Sequence, residues 1–161
     1  MKVAIIGTVG VPANYGGFET LVENMVRQNN SDNLEYSVYC SGKNYKDRHW
    51  VYRGARTIYF PLKANGVQSI FYDICSILHA LRQANVLLIL GVSGCLILPF
   101  VRLFSKKRII VNIDGLEHQR DKWNRYIRKF LKYSEALAVK YADVVVTDNK
   151  GIQDYVREEY G

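Results

Sequence analysis

The residues most able to do chemistry fall in three short stretches. In Val111-Asn112-Ile113-Asp114-Gly115-Leu116-Glu117-His118, two carboxylates and an imidazole follow directly on an apolar run. Such groups orient sugar hydroxyls or serve as acid and base. Asp114-Gly115 also has the composition of a plain turn, with Glu117 opening a loop. The second stretch runs from Gly7 to Gly17 and joins an apolar run to an amphipathic one. Its early glycines read G-x-x-G, not the dinucleotide pattern G-x-G-x-x-G, and no Gly-Lys-Ser/Thr follows to make a Walker A loop. Gly16-Gly17 falls where a helix should start. Backbone N–H groups are unpaired there, the helix dipole attracts an anion, and the missing side chains let a diphosphate come close. A tight turn accounts for the same glycines. The third stretch is Gly91-Val92-Ser93-Gly94, after another apolar run.

Several function classes are weakened by what surrounds these stretches. An NAD enzyme wants an acidic residue after its second strand, and the residues there are Tyr39-Cys40-Ser41-Gly42-Lys43. Lys43 leaves NADP open. Cys40, Cys75 and Cys95 are widely spaced and make no C-x-x-C or Cys/His pattern, so no metal site or disulfide framework is expected. A reduced, cytoplasmic chain is the simple reading. Met1-Lys2 runs straight into the first apolar stretch, without the profile of a signal peptide. Lys and Arg number 22 against 15 Asp and Glu, for a net charge of +7. Such a chain is drawn to anions: a phosphorylated small molecule, an acidic lipid surface or nucleic acid. No RNA- or DNA-binding motif supports the last of these.

The elements that must position these groups follow from the hydrophobic pattern. At 161 residues the chain suits one domain. Strands are predicted at Lys2–Ile6, Leu34–Cys40, Arg56–Phe60, Val86–Leu90, Arg108–Ile113 and Asp143–Thr147. Helices are predicted at Gly16–Asn29, Val67–Leu81, Cys95–Ser105, Lys122–Tyr141 and Gly151–Glu159. Alternation of this kind means an α/β fold, Rossmann-like and doubly wound, with a mostly parallel sheet and helices on both faces. All three chemical stretches then lie at the carboxyl ends of strands, where open α/β sheets bind ligands. In the first helix Phe18, Leu21, Val22, Met25 and Val26 form the apolar stripe, and Glu23 and Arg27 an i, i+4 pair on the wet side. In the second, the stripe is Val67, Ile70, Phe71, Ile74, Ile77, Leu78 and Leu81. Ser41–Ala55 has no stripe and reads as a basic loop or small hairpin. The uncharged run from Val86 to Val101 is interrupted by Gly91–Gly94 and Pro99, which favours a buried strand and a short helix over a membrane span. Residues 121–140 hold six cations against two acids, among them Lys122, Arg125, Lys129 and Lys132. A basic amphipathic helix of this kind lies on an anionic membrane or packs on the core with a solvated basic face.

Longer strings narrow the choice. The opening Val3–Thr20, with its Tyr15-Gly16-Gly17-Phe18-Glu19-Thr20, closely resembles the N-terminal domain of bacterial rhamnosyltransferase-like enzymes of glycosyltransferase family 4. The likeness returns at Asn112–Glu117, Lys122-Trp123-Asn124-Arg125, Ser134–Ala138, Ala142-Asp143 and Asp148–Ile152, so it covers nearly the whole chain. It implies one half of the two-domain GT-B architecture. It also implies retaining transfer of a sugar, in close relatives rhamnose from dTDP-rhamnose, to a lipid-linked saccharide in capsule or cell-wall polysaccharide synthesis. No cofactor or metal is implied, and no nucleic acid. The resemblance sets Gly16 and Gly17 against the donor phosphates and counts Phe18, Glu19, Glu117 and His118 with them as substrate-binding. It makes Asp114 the catalytic candidate, near where many family 4 enzymes place a histidine that touches the donor sugar. Residues 1–161 are then expected to be the acceptor-side domain, inactive without a donor-binding partner domain. The location expected is the inner face of the cell membrane, with Lys122, Arg125, Lys129 and Lys132 toward the lipid. Beside this reading stand an autonomous basic module for phosphorylated ligands or nucleic acid, and an NADP-dependent reductase.

Overall fold

The computed structural model describes residues 1–14 and 16–161. Tyr15 of the Tyr-Gly-Gly-Phe-Glu-Thr string lies outside them. Seven strands form one sheet: β1 Lys2–Ile6, β2 Glu35–Ser41, β3 Val51–Tyr52, β4 Ala55–Phe60, β5 Val86–Leu90, β6 Arg108–Ile113 and β7 Val144–Thr147. Their order is β3-β4-β2-β1-β5-β6-β7, and every pairing is parallel except β3 with β4. The helices are α1 Gly17–Arg27, α2 Gln68–Ala80, α3 Leu98–Phe104, α4 Arg125–Tyr141 and α5 Lys150–Tyr160. Single 3-10 turns precede α3 at Cys95–Ile97 and α4 at Glu117–Gln119.

Alternating side chains of the central strands feed two cores. Ala4, Ile6, Leu87, Ile89, Ile109 and Val111 face α2, α3 and α4, while Val3, Ile5, Val38, Val86 and Leu90 face α1. The doubly wound fold predicted from the sequence is therefore present, with its helices shared unequally between the two faces. Ser41–Ala55 holds a small hairpin. Arg53 and Gly54 both have positive φ, 46° and 82°, as a two-residue turn of the primed type requires.

Three local expectations change. Glu23 does not pair with Arg27. It reaches across to the hairpin, accepting from Tyr52 Oη at 2.6 Å and facing Arg53 Nε at 3.4 Å, while Arg27 bonds Asn24. The start of α4 moves from Lys122 to Arg125 because the Asn124 side chain accepts from the N–H groups of Tyr126 and Ile127, both at 3.0 Å.

The third change is in α2, which buries a different side from the one its apolar residues suggest. Tyr72, Asp73, Ser76, Ile77 and Ala80 face inward, and Val67, Phe71 and Leu78 face out. The inward polar groups are satisfied there. Tyr72 Oη donates to the Thr8 carbonyl at 3.0 Å, and Ser76 Oγ to the Tyr72 carbonyl at 2.7 Å. Among the described residues no helix is long and apolar enough to cross a membrane.

Candidate functional site

The three chemical stretches meet. Gly7 after β1, Gly91–Ser93 after β5 and Asp114, Gly115 and Glu117 after β6 line one cavity of about 200 Å³ at the carboxyl edge of the sheet. Phe18, at the start of α1, forms another wall. The sheet order explains the convergence: β1, β5 and β6 are adjacent, so their terminal loops must be.

Asp114 stands at the mouth, between this cavity and a second of about 550 Å³ that runs under α1 beside β7. Partial burial raises its pKa, and the neighbouring carboxylates Asp148 and Glu117 push it the same way. Glu117 is the opposite case. Burial raises its pKa, but contacts with Lys122 at 2.8 Å, Trp123 Nε1 at 3.1 Å and Arg120 at 2.8 Å outweigh that and hold it below the ordinary range. Lys122, expected on the membrane side, is thus drawn to the cavity and sits 4.6 Å above the Trp123 ring.

One acidic member of this cavity has no signal in the sequence. Asp73 of α2 is buried and accepts a hydrogen bond from Ser93 Oγ. Gly94 makes the approach possible, since a Cβ there would lie 2.6 Å from the Asp73 Cβ. Burial pushes the Asp73 carboxyl up to about 7, with the Ser93 bond pulling weakly the other way. The second cavity holds another clue. Asn112 Oδ1 is, among the described residues, the one buried side-chain polar atom with no hydrogen-bond partner, and Asn112 lines that cavity.

The raised Asp73 pKa gives stability a pH dependence. An unfolded Asp titrates near pH ~3.9, so between about 4 and 7 the folded chain holds a proton that the unfolded chain releases. This group's contribution is therefore most favourable at low pH and is lost as the pH rises through about 7. Asp73→Asn should flatten that slope. Urea midpoints at about pH 5 and pH 8 check it: the variant should lose less stability than the parent between them. Equal losses would mean that the carboxyl is not held protonated.

The glycine pair divides. Gly16 has φ 118° and ψ 156°, and a Cβ on it would lie 2.0 Å from Glu19 Oε2. A Cβ on Gly17, the first residue of α1, would meet nothing within 4 Å. Glu19, expected on the substrate side, is turned inward instead. Its Oε1 accepts from Thr8 Oγ1 at 3.0 Å and from the Val9 N–H at 2.7 Å, so it braces the loop.

His118 also turns away from the cavity. Its Nδ1 lies 3.3 Å from Glu135 Oε2, a fully buried carboxylate of α4. Glu135 Oε1 accepts from Tyr155 and Tyr160 of α5 at 2.7 and 2.6 Å. Lys132, expected to face lipid, belongs to this cluster: its Nζ is 2.8 Å from Glu159 and 3.6 Å from Glu135. It also donates to Tyr155 Oη and lies 4.8 Å from the Tyr160 ring, so its charge is engaged within the fold. Arg125 and Lys129 remain exposed on α4. One more buried polar group ties α4 to the site, Ser134 Oγ donating to the Val92 carbonyl at 2.5 Å.

Among curated proteins no match is found. The pattern of the family described as "Domain of unknown function (DUF1972)" matches residues 1–161. The chain belongs to that family. A solved structure similar to this DUF1972 chain is sucrose-phosphate synthase from Thermosynechococcus elongatus, with a TM-score of 0.74 at 13% identity. The alignment covers 99% of the DUF1972 chain and 45% of the synthase, so the chain spans less than half the length of that structure. The fold is the Rossmann-like half of a GT-B architecture.

Proposed function

We propose that this DUF1972 domain is the acceptor-side half of a retaining glycosyltransferase, moving rhamnose from dTDP-rhamnose to a lipid-linked saccharide. The observation that carries the reading is the convergence of Asp114, Asp73 and Ser93 on one cavity, with the side-chain-free start of α1 beside it. Carboxylates and a hydroxyl suit sugar hydroxyls, and the Trp123 ring in the same wall suits a sugar's apolar face. Membership of the family and the GT-B half-fold agree with glycosyl transfer in general.

The chemistry asks little more of the residues. The bond from the anomeric carbon to the diphosphate breaks, the acceptor oxygen bonds that carbon on the same face, and the acceptor proton passes to the departing phosphate oxygen. Negative charge grows on the diphosphate as positive charge grows on the sugar. Fixed N–H groups at the start of α1 oppose the first, as do Arg120 and Lys122 at the cavity. The Asp114 carboxylate opposes the second. No metal or cofactor enters this proposal, and no nucleic acid. An acceptor anchored in lipid would bring the enzyme to the inner face of the membrane.

Titration and turnover with the full-length protein test the reading. It should bind dTDP-rhamnose and pass labelled rhamnose to a lipid extract. Binding of NADPH with no binding of any nucleotide-sugar would instead favour a reductase, and salt-dependent binding of arbitrary DNA alone would favour a nucleic-acid module.

A further inference from the structure

Large apolar side chains stand outside on two neighbouring segments of one sheet face. Val67 and Phe71 lie at the start of α2, and Leu96, Phe100, Leu103 and Phe104 on α3 and the turn before it. Phe71 is 61% exposed, Phe100 56%, Leu103 75% and Phe104 69%. The Phe100 and Phe104 rings lie 4.7 Å apart and form one surface. The two segments adjoin where Gly94, just before the turn, packs against Asp73 and Ile77 of α2. Exposed apolar area concentrated in this way marks an interaction site, whereas scattered single residues do not.

The charge around it is mainly positive, with the Asp143 carboxylate paired to Arg102 at 2.7 Å. From Pro61 to Arg108 the single carboxylate is Asp73, which is buried. The same span carries Lys63, Arg82, Arg102, Lys106, Lys107 and Arg108. Arg102 and Lys107 are engaged with backbone carbonyls of Tyr141 and Ala84, while Lys63, Lys106 and Arg108 are exposed.

We propose that the α2–α3 face docks on an anionic lipid surface. Phe71, Phe100, Leu103 and Phe104 enter the boundary between headgroups and acyl chains, and Lys106 and Arg108 meet the lipid phosphates. A second copy of the chain is a poor occupant, since it would bring the same cations to this face and another charge of +7. A partner helix would want a groove, and neither cavity described above is lined by Phe100, Leu103 or Phe104. A bilayer needs only a plane. The face also reaches the candidate site, because Ile70 of α2 lines the Asp114 cavity. A saccharide carried on a lipid would thus arrive along α2. This use of the surface rests on the proposed lipid-linked acceptor, but the docking itself involves no donor and is measured without one.

Co-sedimentation with vesicles tests it. The full-length protein should bind phosphatidylcholine vesicles containing phosphatidylglycerol more tightly than phosphatidylcholine alone. Salt should weaken that binding without abolishing it, since only the ionic share is screened. Phe100→Ser with Phe104→Ser should lower binding at least about tenfold, because apolar insertion is lost. Lys106→Gln with Arg108→Gln should remove the preference for phosphatidylglycerol. Arg125→Gln with Lys129→Gln on α4 should change little. All these side chains are exposed, so parent-like melting is expected and is verified first. A direct reading comes from Phe100→Trp, whose fluorescence should shift to the blue and be quenched by brominated lipid.

Parent-like vesicle binding by the double phenylalanine variant overturns the proposal. So does loss of binding in the α4 variant alone, which would move the contact to α4. A concentration-dependent dimer that the phenylalanine variant dissociates would assign the face to a second copy. Nucleotide-sugar binding is scored separately, so a failed membrane surface and a failed transferase reading are told apart.

Discussion

On the proposed transfer, Asp114→Asn should lower turnover at least about a hundredfold in the full-length protein while donor affinity changes by less than about threefold. The carboxylate stands at the mouth of the cavity formed after β1, β5 and β6. It is the one ionisable residue, with Phe18 and Leu90, that lines both this cavity and the space under α1, so both substrates of a transfer would pass it. Asn keeps the shape and most of the hydrogen bonding but removes the charge. An interaction that strengthens as the sugar becomes cationic is lost in turnover and spared in ground-state binding. Steady-state kinetics with donor titration separate the two quantities. Unchanged turnover would reduce Asp114 to a residue of the turn, and an equal fall in affinity would make it a binding residue only.

Gly16→Val loses about 3 kcal/mol or more of stability, while Gly17→Val folds like the parent and fails to hold the donor. Gly16 occupies a backbone region almost reserved for glycine. Its new side chain would also displace the Glu19 carboxylate from Thr8 and Val9, leaving buried polar groups unpaired. Gly17 meets no such obstacle. A valine there changes only what can approach the first N–H groups of α1 from outside. Thermal melting distinguishes the two variants, and titration with dTDP-rhamnose shows whether folded Gly17→Val has lost the anion. Parent-like donor binding by that variant would remove the diphosphate from the start of α1.

The order of elements was legible because each strand is a short apolar run closed by glycine, proline or a charged residue. β5 at Val86–Leu90 and β6 at Arg108–Ile113 match their predicted limits for that reason. The facing of α2 was not legible. Its sequence carries two helical stripes, and the inner one includes Tyr72, Asp73 and Ser76, whose burial depends on partners in Thr8 and Ser93 far along the chain. Periodicity cannot weigh an apolar stripe left in water against polar groups satisfied inside. The same limit hid Asp73 from the site. Its place there rests on Gly94, and a glycine of that kind reads locally as part of a turn. The strand-end rule did bring Asp114, Glu117 and Phe18 to one place. Neither that rule, which supplied His118, nor the resemblance, which supplied Glu19, says where adjacent side chains point, and both turn inward. Hydrogen-bond partners that distant in sequence leave no pattern to count.

The buried carboxylate of Glu135 is a staple. Two phenols from α5 and the imidazole of the turn before α4 share its two oxygens, so one side chain fastens α5 to that turn. The residue next to His118 is Glu117, which holds Arg120, Lys122 and Trp123 in the cavity wall. The last turn of α5, at Tyr160, is thereby stitched to the cavity wall through two intervening side chains, Glu135 and His118.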